Sequence, residues 1–175
     1  MKSTPDRYGR IAISIHWISA ILILALLGSG FRAANAMDAV TKAGLLRFHI
    51  PVAIIVLLLP VFRIVWWRFD LKPLPVKGSP AWQQRVARWV HVAFYIVILG
   101  MIASGIGMMV LSGAAPAVFG EAGTALPNFT DYPPRAPHGL GALLLVGLLI
   151  FHAGAALYHQ FVRHDGLLQR MWYGG

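Results

Sequence analysis

Five histidines fall inside apolar stretches of this 175-residue chain: His16, His49, His91, His138 and His152. A sixth, His159, lies near the end of the last stretch. A titratable side chain is costly in hydrocarbon, so it faces a bundle interior and marks a functional site. The chain has no cysteine. Histidines in membrane helices, without cysteines, point first to non-covalently bound haem and to redox chemistry.

The elements that must position these side chains are long apolar helices. The chain is 58% hydrophobic and only 12% charged. Four runs lack Asp, Glu, Lys and Arg: Ile11–Phe31, Phe48–Phe62, Trp89–Gly120 and Ala136–Val162. The second run extends to Leu45–Trp67, with Arg47 and Arg63 near its ends. About 20 apolar residues cross a ~30 Å hydrocarbon core. Four spans therefore fit, over residues 8–32, 43–69, 81–112 and 137–163, as one domain covering 1–175 with nothing left for a soluble domain. No internal repeat or low-complexity segment is visible. Ala34-Asn35-Ala36 resembles a signal-peptide cleavage site, but the preceding apolar run exceeds a signal h-region and carries His16-Trp17, so the expectation is a retained helix. The predicted fold class is all-α, an integral membrane four-helix bundle.

Basic residues set the expected topology. Eleven flank one side: Lys2, Arg7, Arg10, Arg63, Arg68, Lys72, Lys77, Arg85, Arg88, Arg163 and Arg170. Four flank the other: Arg32, Lys42, Arg47 and Arg135. The positive-inside rule then puts both termini and the middle loop in the cytoplasm. This asymmetry accounts for the formal charge of +9. Nucleic-acid binding, the rival reading of such a charge, loses because the cations flank spans instead of forming one soluble face. Trp66, Trp67, Trp82, Trp89 and Trp172 are expected near the cytoplasmic interface. Lys72-Pro73-Leu74-Pro75 and Gly78-Ser79-Pro80 read as an extended connector. Gly113–Pro137 reads as the longest loop, with Pro137 opening the fourth helix. Pro51 and Pro60 suggest a local kink in the second helix.

With four spans the histidines acquire depth. His49 and His138 lie in the outer half; His16, His91, His152 and His159 lie in the inner half. The step from His138 to His152 covers ~21 Å and returns to nearly the same helix face. One helix thus offers an outer and an inner ligand to one interior, where bundles build cofactor sites. Depth supports the outer pair but does not choose among His91, His152 and His159 as partner of His16. Zinc is a weaker rival, since structural zinc takes four close ligands, often with Cys. A histidine proton channel ranks below haem, and a non-redox bundle whose histidines only bond other helices is the reading from a different class.

The ordered motifs resemble the prokaryotic cytochrome b561 family, and within it the superoxide oxidases of the bacterial inner membrane. The resemblance covers nearly the whole chain. It is carried by Arg7-Tyr8 with Ile15-His16-Trp17, then Phe48-His49 with Arg63 and Trp66-Trp67-Arg68, then His91 with Tyr95 and Gly105. The strongest stretch is His138–Met171, with His152-Ala153, Ala156-Leu157, His159, Asp165 and Arg170-Met171 in family-like order. Ala53 departs from the pattern, standing where related proteins tend to place a glycine one turn after the second-helix histidine; an adjusted outer haem pocket is expected.

The resemblance implies two b-type haems with four metal ligands, His16 and His152 for the inner haem and His49 and His138 for the outer. It also implies a ubiquinone site near the cytoplasmic surface, close to His91 and His159. His159 suits hydrogen bonding to a quinone oxygen and proton relay, because histidine titrates near neutral pH; Lys72, Arg63 and Arg68 are candidate helpers. The implied activity moves electrons from periplasmic superoxide through both haems to ubiquinone, in a multi-pass protein of the bacterial inner membrane with lipid around it. Outer cations Arg32, Lys42, Arg47 and Arg135 would attract the anion through their arrangement, since the outer segments carry a net charge of only +1. The alternative is a haem-b subunit that links a periplasmic dehydrogenase or cytochrome c partner to the quinone pool, docked through the loop Gly113–Pro137. The small residues Gly28, Gly30, Gly100, Gly105, Gly107, Gly141, Gly147 and Gly154 would let helices approach or make room for porphyrin.

Overall fold

The computed structural model describes residues 2–76, 78–120 and 124–173. Two of the flanking charges, Lys77 and Glu121, lie outside the described residues. The elements are α1 (Arg10–Ala34), α2 (Ala39–Trp66), α3 (Ala81–Ser112), a short α4 (Ala115–Phe119) and α5 (Arg135–Tyr158). α5 runs on into one π-helical turn, His159–Arg163, and 3-10 turns cover Phe129–Asp131 and Leu168–Met171. Four helices are apolar and long enough to cross a membrane, at 25, 28, 32 and, counting the π turn, 29 residues. They pack as two hairpins, α1 against α2 and α3 against α5.

Local chemistry sets the helix ends. Asp38 caps α2 by accepting a hydrogen bond from the Thr41 backbone N–H at 2.7 Å, and those backbone bonds hold its carboxyl below the usual range. Asn35 closes α1 by donating from Nδ2 to the Phe31 carbonyl at 2.7 Å. Gly113 ends α3 at φ +62°, a left-handed turn that a glycine adopts without strain. α2 runs unbroken through Pro51 and Pro60. α5 begins at Arg135, two residues before Pro137. Pro137 therefore sits in the first turn, where a missing N–H leaves no intrahelical bond unmade.

At mid-height one buried residue from each long helix meets: Ile23, Val56, Ile98 and Leu145. The outward faces stay apolar, with Ile96 66% and Ile150 68% exposed. Such a belt belongs against lipid chains, because only helices with satisfied backbones can face hydrocarbon.

The long connection between α3 and α5 folds down on the bundle. Ala114, Val118 and Phe129 are buried against Leu46, Ile50, Met108 and Met109. Arg47 donates to the Val118 carbonyl, and the Lys42 ammonium lies 5.7 Å from the Phe129 ring centroid. Arg47 and Lys42 thus hold the connection in place.

The opposite end is tied by the chain termini. Ser3 donates to Asp70 twice, from its backbone N at 2.7 Å and from Oγ at 2.6 Å, and Trp66 Nε1 donates to the same carboxylate at 2.9 Å. Burial alone would raise the Asp70 pKa, but the bonds from Ser3 and Trp66 outweigh it and hold the carboxyl below the usual range. Arg170 donates to the Leu74 carbonyl at 2.6 Å, and Trp17 Nε1 to the Met171 carbonyl at 2.8 Å.

Candidate functional site

Near the end covered by the long connection, His49 of α2 faces His138 of α5 with ring centroids 6.3 Å apart. Each ring is held by a serine of the neighbouring helix in its own hairpin. Ser29 Oγ lies 3.0 Å from His49 Nδ1, and Ser104 Oγ lies 3.0 Å from His138 Nδ1. His138 Nδ1 also lies 2.9 Å from the Met101 carbonyl, so this nitrogen is the N–H donor. With Nδ1 occupied in both rings, Nε2 is the nitrogen left for a metal, the usual arrangement for a ligating imidazole. Both serines are buried, at 7% and 8% exposure.

The glycine after each serine matters here. A Cβ on Gly30 would come 3.1 Å from His49 Cε1, and one on Gly105 would come 3.4 Å from His138 Cε1. Close approach at His49 and His138 is thus provided within each hairpin by Gly30 and Gly105, with Ala53 in the position one turn beyond His49. An open cleft of about 570 Å³ beside this end is lined by Asp131, Tyr132, Arg135 and Gly139, among others.

Toward the end that carries both termini, three imidazoles gather. His16 of α1 lies 6.1 Å from His152 of α5, and His91 of α3 lies 5.5 Å from His152. His91 Nδ1 is bonded to its own helix, 2.6 Å from the Ala87 carbonyl. His159 stands apart at the junction of α5 and its π turn, with Nδ1 2.5 Å from Asp165 Oδ2. Single π turns inside helices recur at functional positions. Lys72 places its ammonium 4.2 Å from the Trp67 ring centroid, and Arg63 places its guanidinium 5.3 Å from the same ring.

Haem fits this donor set. Metal–imidazole bonds of about 2 Å put the centroids of two imidazoles on opposite sides of one metal roughly 6 Å apart. The pairs His49–His138 and His16–His152, at 6.3 and 6.1 Å, match that span. His91–His152, at 5.5 Å, is shorter. Among the described residues no cluster of three or more metal-ligating side chains has the closeness a bare metal ion needs. Ser29 and Ser104 were not singled out by sequence reasoning. Their signal is a shared spacing: the same step along the helix leads from His16 to Ser29-Gly30 in α1 and from His91 to Ser104-Gly105 in α3.

A four-helix membrane bundle with facing imidazoles at two depths is the architecture of a membrane cytochrome b. The model for prokaryotic cytochrome b561 matches residues 7–174, and the chain belongs to that family. It is 29% identical to cytochrome b561 homolog 2 of Escherichia coli over 97% of this chain and 93% of the relative. It is 32% identical to cytochrome b562 of Cereibacter sphaeroides over 94% of both chains. Cytochrome b561 homolog 1 of Escherichia coli is 26% identical over 95% of this chain and 97% of the relative. The protein is therefore a multi-pass bacterial inner-membrane protein with a haem-b electron-transfer role.

Proposed function

We propose that the protein is a superoxide:ubiquinone oxidoreductase with two haems b, the inner held by His16 and His152 and the outer by His49 and His138. The observation that carries this reading is the pair of facing imidazoles at each depth, at 6.1 and 6.3 Å. Haem at each pair would supply a one-electron ferric/ferrous couple, the chemistry needed to carry electrons from periplasmic superoxide to ubiquinone near the cytoplasmic side. Two superoxide anions, one ubiquinone and two protons give two O2 and one ubiquinol.

This chain's residues divide the remaining work. Ser29 and Ser104 orient the outer imidazoles. Ala114, Val118 and Phe129, buried against α2 and α3, cover the bundle end beside them, while Arg135 lines the open cleft and presents a cation to an approaching anion. His159, paired with Asp165, relays protons to a quinone oxygen at the opposite end. His91 sits inside the inner cluster beside His152, which supports a role close to the inner haem and its quinone. Both termini are assigned to the cytoplasm by the excess of basic residues at that end.

The test is a reduced-minus-oxidised spectrum of the purified protein, with superoxide as reductant and a ubiquinone analogue as acceptor. Rapid reduction by superoxide followed by quinone-dependent reoxidation supports the reading. Bands that respond to dithionite alone transfer the role to a partner-dependent electron-transfer subunit.

A further inference from the structure

The two hairpins repeat one another. One constant offset aligns α1 with α3, pairing His16 with His91, Ile23 with Ile98, Ser29 with Ser104 and Gly30 with Gly105. A second, larger offset aligns α2 with α5, pairing His49 with His138 and Val56 with Leu145. Three-dimensional contacts obey the same equivalence. Ile23, Val56, Ile98 and Leu145 form one core layer, and Ser29–His49 and Ser104–His138 make the same 3.0 Å contact. The repeat is hidden in the linear sequence because the connection inside the second hairpin is the longer one, so no single offset superimposes both helices.

The equivalence fails at one position. His152 follows His138 by about four helical turns, and the same step from His49 arrives at Arg63. Arg63 stands two helical turns beyond Val56 of the shared core layer, the same step that leads from Leu145 to His152 in α5, so it lies at the depth of the inner cluster. Its Nε is buried with no hydrogen-bond partner among the described residues, and the only salt bridge among them is His159–Asp165. A half-buried cation in a membrane bundle, resting on the Trp67 ring with no carboxylate partner among the described residues, is expensive and marks function.

We propose that Arg63 occupies the first hairpin's copy of the His152 ligand position and acts as a positioning charge that raises the potential of the inner haem. Reduction adds one negative charge at the metal, and a fixed cation nearby favours that state, because net charge and burial set haem potentials. The outer pair has its own nearby cation, Arg135, but that residue lies in the first turn of α5 and lines an open cleft, where water screens it. This inference rests on the two-haem reading above and gives that reading a direction, since a more oxidising inner site draws electrons away from the superoxide side.

The experiment is a potentiometric titration of the purified holoprotein, resolving two midpoints by visible spectra. The inner one is identified as the component that survives His138→Ala. Arg63→Gln is expected to lower the inner midpoint and leave the outer one in place, while Arg63→Lys retains most of the wild-type value. Unchanged midpoints in Arg63→Gln, or equal shifts in both, overturn the proposal. Arg63→His in a His16→Ala background tests the equivalence by haem content alone: it is expected to regain haem lost in His16→Ala, and no regain overturns the assignment of the position. A preparation that binds one haem, or that loses both in His138→Ala, removes the two-haem reading first and this proposal with it; that outcome appears in the haem stoichiometry, before any potential is measured.

Discussion

The outer and inner histidine clusters are built from copies of the same hairpin, yet they differ in symmetry. The outer cluster has two imidazoles, each anchored at Nδ1 by a buried serine of its own hairpin. The inner cluster has three imidazoles and an arginine, and the one Nδ1 bond found there runs to a helix carbonyl, from His91 to Ala87. A symmetric, anchored pair suits a site that only accepts and passes electrons, since fixed ligands need little rearrangement. An asymmetric cluster leaves groups free for charge and proton handling. The difference teaches that a duplicated frame can carry two unlike clusters while keeping one packing layer between them.

The sharpest way to break this comparison is to remove an outer ligand. His49→Ala or His138→Ala should abolish the outer haem and leave part of the inner signal, read by haem content and visible spectrum. Survival of both haems after either change would falsify the ligand assignment.

Next in size is His159→Ala, which should spare both haems and slow quinone-dependent reoxidation by roughly 10²-fold or more, the scale of a lost general acid–base group. Loss of haem in this variant would instead move His159 into the ligand set.

The serines offer a finer contrast. His49 has Ser29 at 3.0 Å and only a weaker backbone contact to Leu26, whereas His138 has Ser104 at 3.0 Å and the Met101 carbonyl at 2.9 Å. Ser29→Ala should therefore weaken outer-haem retention about 10-fold, the lower end for a lost orienting partner, and Ser104→Ala should do less. Equal effects would show that the Met101 carbonyl contributes nothing.

The smallest effect is expected at the tie between the termini and the α2–α3 connection. Ser3→Ala should cost roughly 1 kcal/mol, the scale of a net hydrogen bond, with both haem spectra unchanged. Because the folded Asp70 pKa is depressed, its contribution is fully present above the ordinary aspartate value of ~3.9 and is lost as pH falls through the lower folded value. Thermal unfolding of wild type and Ser3→Ala should thus differ at neutral pH and converge in acid below that range.

Much of the fold is legible in the sequence. Runs such as Trp89–Gly120, free of charge and long enough for the hydrocarbon core, determine membrane helices through composition alone. The step from His138 to His152 likewise follows from helix periodicity. The long connection was less legible, because Val118 and Phe129 are buried by contacts with α2 and α3 that no local pattern encodes. The start of α5 at Arg135 was missed for a related reason: Pro137 is tolerated anywhere in the first turn, so it marks a helix beginning only loosely.

By itself the sequence determined four apolar helices, the charge asymmetry along them and the depth of each histidine, since all three depend only on composition and a fixed rise per residue. Tertiary structure alone decided which imidazoles face each other and that Ser29 and Ser104 hold the rings of His49 and His138. Those facts depend on the rotation and pairing of helices far apart in the chain. In lipid these are set by side-chain packing and interhelical hydrogen bonds, because hydrophobicity favours every apolar face equally.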